Sequence, residues 1–214
     1  MDINYFGHSS FKLSGSRVSV VTDPYDDNVG LRYPKVSGTI VAVSHNHGDH
    51  NQVSRVSDYK KIISGPGEYE VEGISIIGFP SYHDNQKGEL RGPNTMYVFE
   101  IDGVRLAHLG DLGHSLTDKE IEKLGNLHVL MIPVGGHYTI GPQVAAEITR
   151  MIEPQIIVPM HYQMEGLNQS VFKDLVGSEP FVNELGIKTE ETKKLVVKEA
   201  DTFSEDQKIV LFSL

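Results

Sequence analysis

A cluster of histidines directly after a β-branched strand constrains this sequence more than any other feature. The apolar run 39–44 predicts a strand, and it leads straight into Ser44-His45-Asn46-His47-Gly48-Asp49-His50, an H-x-H-x-D-H pattern. A turn after a buried strand can direct alternate side chains into one concavity. Imidazole suits zinc, iron and other first-row metals, and a carboxylate adds an anionic ligand. Three His and one Asp exceed what one four-coordinate ion with an open position needs, so the cluster predicts a site for two metal ions.

The remaining apolar runs indicate a fold rich in strands. Seven further strands are predicted, at 18–22, 74–79, 95–101, 104–109, 129–134, 156–159 and 209–212. Asp102-Gly103 predicts a hairpin turn between two of them. A capping box of Thr117 and Glu120 begins one helix and Pro142 begins another, while weaker helix signals follow His50 and Ser170. Strands come first and then alternate with helices, which is typical of sheets covered by helices. The length of 214 residues predicts a single domain spanning 1–214.

The composition narrows the function classes. The chain has no cysteine, which excludes a disulfide framework, a thiolate nucleophile and a cysteine-based metal site. Its 19 Lys and Arg against 29 Asp and Glu give a net charge of −10, which disfavours nucleic acid and anionic membranes because both need a basic patch. No apolar run approaches the roughly 18 residues of a membrane helix, and the N-terminus lacks a signal-peptide pattern. We expect a cytoplasmic protein with a small-molecule substrate, and homo-oligomer formation stays open.

Several further motifs are spread along the rest of the chain. They are Gly7-His8-Ser9-Ser10-Phe11, Thr22-Asp23-Pro24, His108-Leu109-Gly110-Asp111-Leu112-Gly113-His114, Ile132-Pro133-Val134-Gly135-Gly136, Tyr138-Thr139-Ile140 and Pro159-Met160-His161-Tyr162. Together with the H-x-H-x-D-H cluster, they resemble the metallo-β-lactamase superfamily of hydrolases over nearly the whole chain. Within that superfamily they resemble the branch that includes ascorbate-6-phosphate lactonase-like proteins and many zinc-dependent hydrolases.

The resemblance implies a fold and a set of metal ligands. The fold is of the α/β (α+β) class, an αββα sandwich of two mixed β-sheets flanked by helices. Two divalent ions are the implied cofactors; zinc is expected, and manganese, iron and nickel suit the same ligand types. Spacing alone does not decide whether His83, Asp111 and His161 are ligands. A histidine in a surface loop, an aspartate in a turn and a histidine that caps a strand are all common without a metal. By resemblance, the first ion takes His45, His47 and His83, the second takes Asp49, His50 and His161, and Asp111 bridges them.

Two residues at strand ends are candidates for supporting the metal site. Asp23 ends a predicted buried strand, where a carboxylate is costly unless it is paired. It resembles the family's first-motif aspartate, which hydrogen-bonds around the metal site, and a turn-forming role before Pro24 is the alternative. His8 is a candidate for lining the cleft or for local packing. His108 alternates within a strand and is predicted to be a core histidine.

Loops near the predicted ligands supply candidates for substrate contact. The polar segment 83–94 carries Lys87 and Arg91, which could bind a phosphate or carboxylate or face solvent. Asp84 or a cleft histidine is a candidate proton shuttle. His114 and His137 lie in glycine-rich loops, where either substrate or solvent could contact them.

The residues and the resemblance together predict a metal-dependent hydrolase. A hydroxide bridging two ions would attack a small anionic ester, lactone or phosphoester, and Asp49 and Asp111 would orient it as well as bind metal. A non-haem iron oxidoreductase on the same fold is one alternative, because related ligand sets hold iron. A non-catalytic metal-binding protein is the other. No motif in the sequence identifies the substrate.

Overall fold

Outer strands with alternating burial, such as Asp2–Gly7 and Ile74–Tyr82, and central strands that are buried throughout, such as Ile40–Val43, Val129–Pro133 and Ile156–Met160, form two large β-sheets. The computed structural model describes residues 1–198 and 206–214. The strands are β1 (Asp2–Gly7), β2 (Ser10–Ser14), β3 (Ser19–Thr22), β4 (Val36–Ser37), β5 (Ile40–Val43), β6 (Val56–Ser57), β7 (Lys61–Ser64), β8 (Gly67–Val71), β9 (Ile74–Tyr82), β10 (Pro93–Ile101), β11 (Val104–His108), β12 (Val129–Pro133), β13 (Ile156–Met160), β14 (Lys188–Thr192), β15 (Leu195–Val196) and β16 (Lys208–Phe212). The helices are α1 (Asp118–Leu124), α2 (Pro142–Ile152), α3 (Gln169–Phe172) and α4 (Glu179–Leu185).

Both large sheets mix parallel and antiparallel pairing. One has six strands in the order β15-β1-β2-β3-β5-β7, and the other has eight in the order β14-β16-β13-β12-β11-β10-β9-β8. β11, β12 and β13 pair in parallel, whereas β8 to β11 form an antiparallel meander. β4 and β6 form a separate short parallel pair. The predicted class, an αββα sandwich of two mixed sheets, is confirmed.

The main core lies between the two sheets. Side chains from the inner faces of β1, β2, β3 and β5 pack with side chains from β9 to β13, and Phe11, Leu13, Phe99 and Leu106 are fully buried there. Each such side chain contributes about 1.5–3 kcal/mol of transfer free energy, before the entropy of ordering it. This apolar interior supports the loops at the sheet edges, where the polar clusters lie.

The outer faces are covered in different ways. α1, α2 and α4 cover the eight-stranded sheet through a second core that includes Leu124, Ile148 and Phe181. The six-stranded sheet is covered by valines of β4, β6 and a 3-10 turn, Val53–Arg55. Among the described residues, no helix combines the length and apolarity needed to cross a membrane.

The predictions that depend on residues close together in the sequence are confirmed. Asp102 and Gly103 both have positive φ, 51° and 76°, and join β10 to β11 as a primed hairpin turn. Thr117 and Glu120 exchange both hydrogen bonds of the capping box at α1, and α2 begins at Pro142.

Of the two weaker helix predictions, the one after His50 was wrong, and the one at Ser170 is confirmed as a short helix. The segment after His50 forms only the turn Val53–Arg55, because the Gln52 N–H donates to the Pro24 carbonyl (2.7 Å) instead of continuing a helix. α3, around Ser170, is a single turn of four residues.

Strand direction places the polar loops at one edge of each sheet. In the six-stranded sheet β1, β3 and β5 run the same way, and in the eight-stranded sheet so do β9, β11 and β13. Every candidate ligand comes within seven residues of the end of one of these strands. The six strands are followed, in that order, by His8, Asp23, the cluster 45–50, His83, Asp111 and His161.

Candidate metal centre

Three polar residues leave their strands in a conformation that side chains rarely adopt. His8 after β1, Asp23 after β3 and His161 after β13 have φ of 56°, 42° and 51°. A non-glycine residue in this left-handed region costs on the order of 1–3 kcal/mol, and such residues concentrate at functional sites. The His161 N–H donates to the His8 carbonyl (2.9 Å), which joins two of these turns across the two sheets.

The Asp111 carboxylate lies at the centre of the polar cluster. Its Oδ2 is 3.2 Å from Nε2 of His50, His83 and His161, and 3.9 Å from Nε2 of His45. Asp111 is buried, and its Oδ1 has no hydrogen-bond partner among the described residues. Four imidazole nitrogens around one carboxylate oxygen are more than hydrogen bonding to that oxygen requires, which is the arrangement expected where a cation binds.

Three groups of potential ligand atoms lie around Asp111, and one of them, Asp23, His45 and His50, is linked by hydrogen bonds directly and through Ser44. In each group the nitrogen and oxygen atoms all lie within 4.8 Å of one another. All seven residues predicted as ligands are therefore brought together, and His8 joins them. Of the other two, the first group is His45, His47 and His83; the second is His8, Asp49, His50 and His161.

Hydrogen bonds set the orientation of two of these histidines. Asp23 Oδ2 accepts from Nδ1 of His50 (2.9 Å) and from the Ser44 hydroxyl (2.6 Å), and the Ser44 N–H donates to Oδ1 (2.8 Å). The Ser44 oxygen in turn accepts from Nδ1 of His45 (2.9 Å). Because both Nδ1 atoms carry a proton, cation binding is directed to Nε2 of His45 and of His50.

His8 supports the same cluster from β1. Its Nε2 donates to Asp49 Oδ2 (3.0 Å), and its ring lies against the rings of His161 and Phe172, with centroid distances of 4.2 and 5.0 Å. His108, by contrast, is buried with both ring nitrogens bonded, one to the Ser9 carbonyl and one to the Gly110 N–H. It is a core histidine, as predicted.

Burial and charge set the protonation of the cluster. Burial, with the neighbouring histidines, lowers the pKa of His45 to about 3 and that of His8 to about 4, so both imidazoles are neutral at pH 7. Burial alone would lower the pKa of His50, but the carboxylates of Asp111 and Asp49 raise it. The same attraction overcomes burial and lowers the pKa of both carboxylic acids. A cation binding to His50 Nε2 must therefore displace a proton.

A cleft of about 250 Å³ opens onto this centre. Part of its lining is polar and carries residues of both ligand groups: His47, Asp49, His83, Asp111 and His161. The rest is one contiguous wall, joined by contacts of Tyr138 with one arginine and two apolar side chains: Arg91, Val171 and Phe172.

The other predicted contact residues do not all reach the cleft. Lys87 is exposed and is absent from the cleft lining. His114 also lies outside the lining, because its Nδ1 donates to the Ser115 carbonyl and its Nε2 accepts from the Tyr82 N–H. His137 is exposed, and its ring packs edge-on against Tyr138. Of the loop candidates, only Arg91 lines the cleft.

Asp84 organises a loop, and its contacts do not suit the predicted proton-shuttle role. Its carboxylate is buried and accepts four backbone N–H groups at 2.8–2.9 Å, from Gln86, Gly88, Leu90 and Arg91. These bonds favour the ionised form and lower the pKa of Asp84 to about 2. A group with that pKa carries almost no proton at neutral pH, so it cannot deliver one efficiently.

Sequence reasoning missed three features that position the site. Ser44 links Asp23 to His45, and Asn94 accepts from the Asp111 N–H through Oδ1 (3.0 Å). Asn94 is a buried amide in an apolar strand, which was the available signal. The third feature is the apolar wall of Val171 and Phe172, which lies far along the chain from every ligand motif and carries no local signal of its own.

Comparisons with known proteins agree with this arrangement. A family model described as a beta-lactamase superfamily domain matches residues 2–161. A UPF0173 metal-dependent hydrolase from Thermococcus onnurineus is 27% identical over 209 residues, covering 82% of this chain and 92% of that protein. A crystal structure of a metallo-beta-lactamase superfamily protein from Thermotoga maritima is 33% identical, covers 99% of this chain and 97% of its own, and superposes with a TM-score of 0.79.

A more distant structural neighbour shares the fold alone. It is a diiron beta-hydroxylase from Streptomyces venezuelae, 12% identical, covering 86% of this chain and 51% of its own, with a TM-score of 0.63. The family is decided by the matches of higher identity and coverage, and on them the chain belongs to the metallo-beta-lactamase superfamily.

Proposed function

We propose that this protein is a metal-dependent hydrolase that uses two divalent cations to cleave a small ester, lactone or phosphoester. The observation that carries the proposal is the buried Asp111 carboxylate with Nε2 of His50, His83 and His161 each 3.2 Å from its Oδ2. The Thermococcus relative is named as a metal-dependent hydrolase, and the Thermotoga protein is described as a candidate Zn-dependent one. Both descriptions support the same reaction class.

The residues fit a pair of cations. Nε2 of His45, Nε2 of His50 and Oδ1 of Asp111 are buried without a hydrogen-bond partner among the described residues. Such orphaned polar atoms are costly unless something binds them. Imidazole nitrogens and carboxylate oxygens without cysteine suit zinc, and they also suit manganese, iron and nickel.

The ligands divide naturally between two positions. His45, His47 and His83 would hold one cation. Asp49, His50 and His161 would hold the other, and Asp111, which lies near both groups, would bridge them. Cations held by these residues would supply a water whose pKa is lowered toward about 7 and would polarise the substrate oxygen.

The chain's own residues would orient the reaction. Asp49 lines the cleft, and His50 first, then the hydrogen bond from His8 Nε2 to its Oδ2, keep the carboxylate ionised and fixed. Asp49 can then accept a hydrogen bond from the attacking water and hold it toward the substrate. The apolar side chains of Val171 and Phe172, which also line the cleft, would limit the access of bulk water.

Two other functions predict different results in the same experiment. A non-haem iron oxidoreductase would use the same donors for iron, and a metal-binding protein without activity would hold ions but turn over no substrate. The test is metal content per chain by mass spectrometry, on protein purified without chelators, followed by hydrolysis assays on lactones, carboxylic esters and phosphoesters.

We expect about two zinc or manganese ions per chain, as the two ligand groups imply, and hydrolysis that a chelator removes and added metal restores. One ion or none after reconstitution would refute the two-cation site. Iron with consumption of O₂ would support the oxidoreductase, and two tightly held ions with no hydrolysis would support the binding protein.

A further inference from the structure

Arg91 supplies the cleft with its fixed positive charge. Of the described residues that line the cleft, only Arg91 is a lysine or arginine, and it lies on the wall that also carries Tyr138, Val171 and Phe172. Lys87 belongs to the same loop but is exposed and does not reach the cleft. The structure therefore shows which of the two basic side chains of this loop reaches the cleft, a point that the sequence left open.

The Arg91 side chain is held in place without an acidic partner. Its Cζ lies 5.6 Å from the centroid of the Tyr138 ring, and Nη2 donates to the His137 carbonyl (3.4 Å). Arg55, Arg105 and Arg150 each pair with a carboxylate, whereas within the described part of the chain no carboxylate pairs with Arg91. Most of its five N–H donors are therefore free for a ligand, in a planar arrangement that matches carboxylate or phosphate.

The loop that carries Arg91 is ordered before any ligand arrives. Asp84 accepts the backbone N–H groups of Leu90 and Arg91, at 2.9 and 2.8 Å, and closes the loop on itself. A side chain on a preorganised loop loses less conformational entropy when it binds a ligand. The ordered loop also fixes the backbone of His83, whose N–H donates to the Gly92 carbonyl (3.1 Å), and it holds the Arg91 backbone next to the cleft.

The rest of this wall is apolar. The Tyr138 hydroxyl donates to the Val171 carbonyl (2.8 Å), and the Phe172 ring packs edge-on to the Tyr138 ring with centroids 6.3 Å apart. Val171 remains 40% exposed beside the cleft. The cleft volume of about 250 Å³ lies below the roughly 300–1,000 Å³ typical of sites for drug-sized ligands, so the ligand is small.

We propose that Arg91 binds an anionic group of the substrate, remote from the bond that is cleaved, while an apolar part of the same molecule lies against Val171 and Phe172. The substrate class is then a compact ester or lactone that carries both a carboxylate or phosphate and an apolar group. This inference rests on the proposed hydrolase function. In its support, two divalent cations would outweigh the carboxylates of Asp23, Asp49 and Asp111, leaving the cleft attractive to anions.

The test compares three probes that do not react. They share one aromatic group and differ in charge: 3-phenylpropanoate, 2-phenylethyl phosphate and the neutral 3-phenylpropanamide. Their affinities for the metal-loaded wild type, Arg91→Gln, Arg91→Lys and the matched control Lys87→Gln are measured by calorimetry. The metal content of every variant is measured alongside.

We expect Arg91→Gln to lower the affinity for at least one of the two anions by about tenfold or more, as for the loss of a charge-assisted hydrogen bond. Its affinity for the neutral amide should stay within about twofold of the wild type. The anion that loses more identifies carboxylate or phosphate as the natural group. Arg91→Lys should lose less affinity for the anions than Arg91→Gln, and Lys87→Gln should keep the wild-type affinity. Val171→Ser should weaken all three probes by about two- to fivefold, through lost apolar contact.

Equal affinities in Arg91→Gln and Lys87→Gln would overturn the proposal, because anions would then be held by the cations alone. Unchanged affinity for all three probes in Val171→Ser would refute the part of the proposal that places an apolar group against Val171. If the protein proved to hold no cations, or to hydrolyse no ester, while Arg91→Gln still lost anion affinity, the hydrolase function would fail and the anion site would stand.

Discussion

Asp23 Oδ2 lies 2.9 Å from Nδ1 of His50, and this contact determines which nitrogen of His50 faces the metal centre. Both side chains are buried, so neither finds water as an alternative partner. The bond keeps a proton on Nδ1 and turns Nε2 toward Asp111 Oδ2, 3.2 Å away. Strands β3 and β5 pair in parallel, which is why an aspartate 27 positions earlier in the chain can orient this histidine.

Replacing Asp23 tests this orientation. Asp23→Asn removes the charge that fixes the His50 tautomer, and we expect metal affinity to fall about 10–100-fold, as for other orienting partners of metal-bound histidines. Competition with a chromogenic chelator measures the affinity. Asp174→Asn removes an exposed carboxylate that is absent from the cleft lining and should leave the metal affinity unchanged. Wild-type affinity in Asp23→Asn would mean that His50 needs no such partner.

Asp111→Asn addresses the proposed bridge. Because Asp111 Oδ2 is close to histidines of both ligand groups, its loss should weaken both cations, by more than the roughly 100-fold expected for an orienting residue. We expect hydrolysis to be abolished while the circular dichroism spectrum stays that of the wild type. His114→Gln, outside the cleft, is the control. Full activity with normal metal content in Asp111→Asn would exclude a bridging role.

Gly135 makes room for the turn that carries His161. A Cβ atom at Gly135 would lie 2.2 Å from the His161 carbonyl oxygen, a backbone atom that cannot move aside cheaply. We expect Gly135→Ser to destabilise the protein by about 1–3 kcal/mol, as for other overpacked sites, and to weaken metal binding. At Gly141 a Cβ meets nothing closer than 4.0 Å, so Gly141→Ser at the start of α2 should be neutral or slightly stabilising. Urea titration of both variants compares them directly, and equal stabilities would contradict the steric argument.

The loop that Asp84 closes should depend on pH in a defined direction. Hydrogen bonds lower the pKa of Asp84 from 3.8 to about 2 in the folded protein. The stability that the ionised Asp84 carboxylate gives to the loop is therefore fully present above about pH 3.8 and is lost as the pH falls toward 2. Asp84→Asn should produce the same loosening at pH 7, seen as faster hydrogen exchange at the amides of Gly88, Leu90 and Arg91. Unchanged exchange at those amides in Asp84→Asn would show that the loop is held by other contacts.

Local chemistry explains why some elements were predictable. The Asp102-Gly103 turn, the capping box of Thr117 and Glu120, and Pro142 at the start of α2 depend on residues within four positions of one another. The short helix predicted after His50 failed because a distant acceptor, the Pro24 carbonyl, takes the Gln52 N–H. Propensity cannot anticipate a partner that only the sheet brings near.

The sequence by itself determined the ligand chemistry of this protein. His45, His47, Asp49 and His50 stand together after one strand, and the absence of cysteine restricts the donors to imidazole and carboxylate. Resemblance added His83, Asp111 and His161, and all of these residues converge in the structure. Their roles as ligands await the metal measurements proposed above.

Only the tertiary structure decided which side chains contact the candidate ligands and which reach the cleft. Strand direction brings the ends of β1, β3, β5, β9, β11 and β13 to a common region. As a result Asp23 orients His50, Asp84 turns inward to close a loop, and Arg91 reaches the cleft while Lys87 does not. Residue type fixes what a side chain can donate or accept, but the partner it meets depends on which strands lie side by side, and that information is spread over the whole chain.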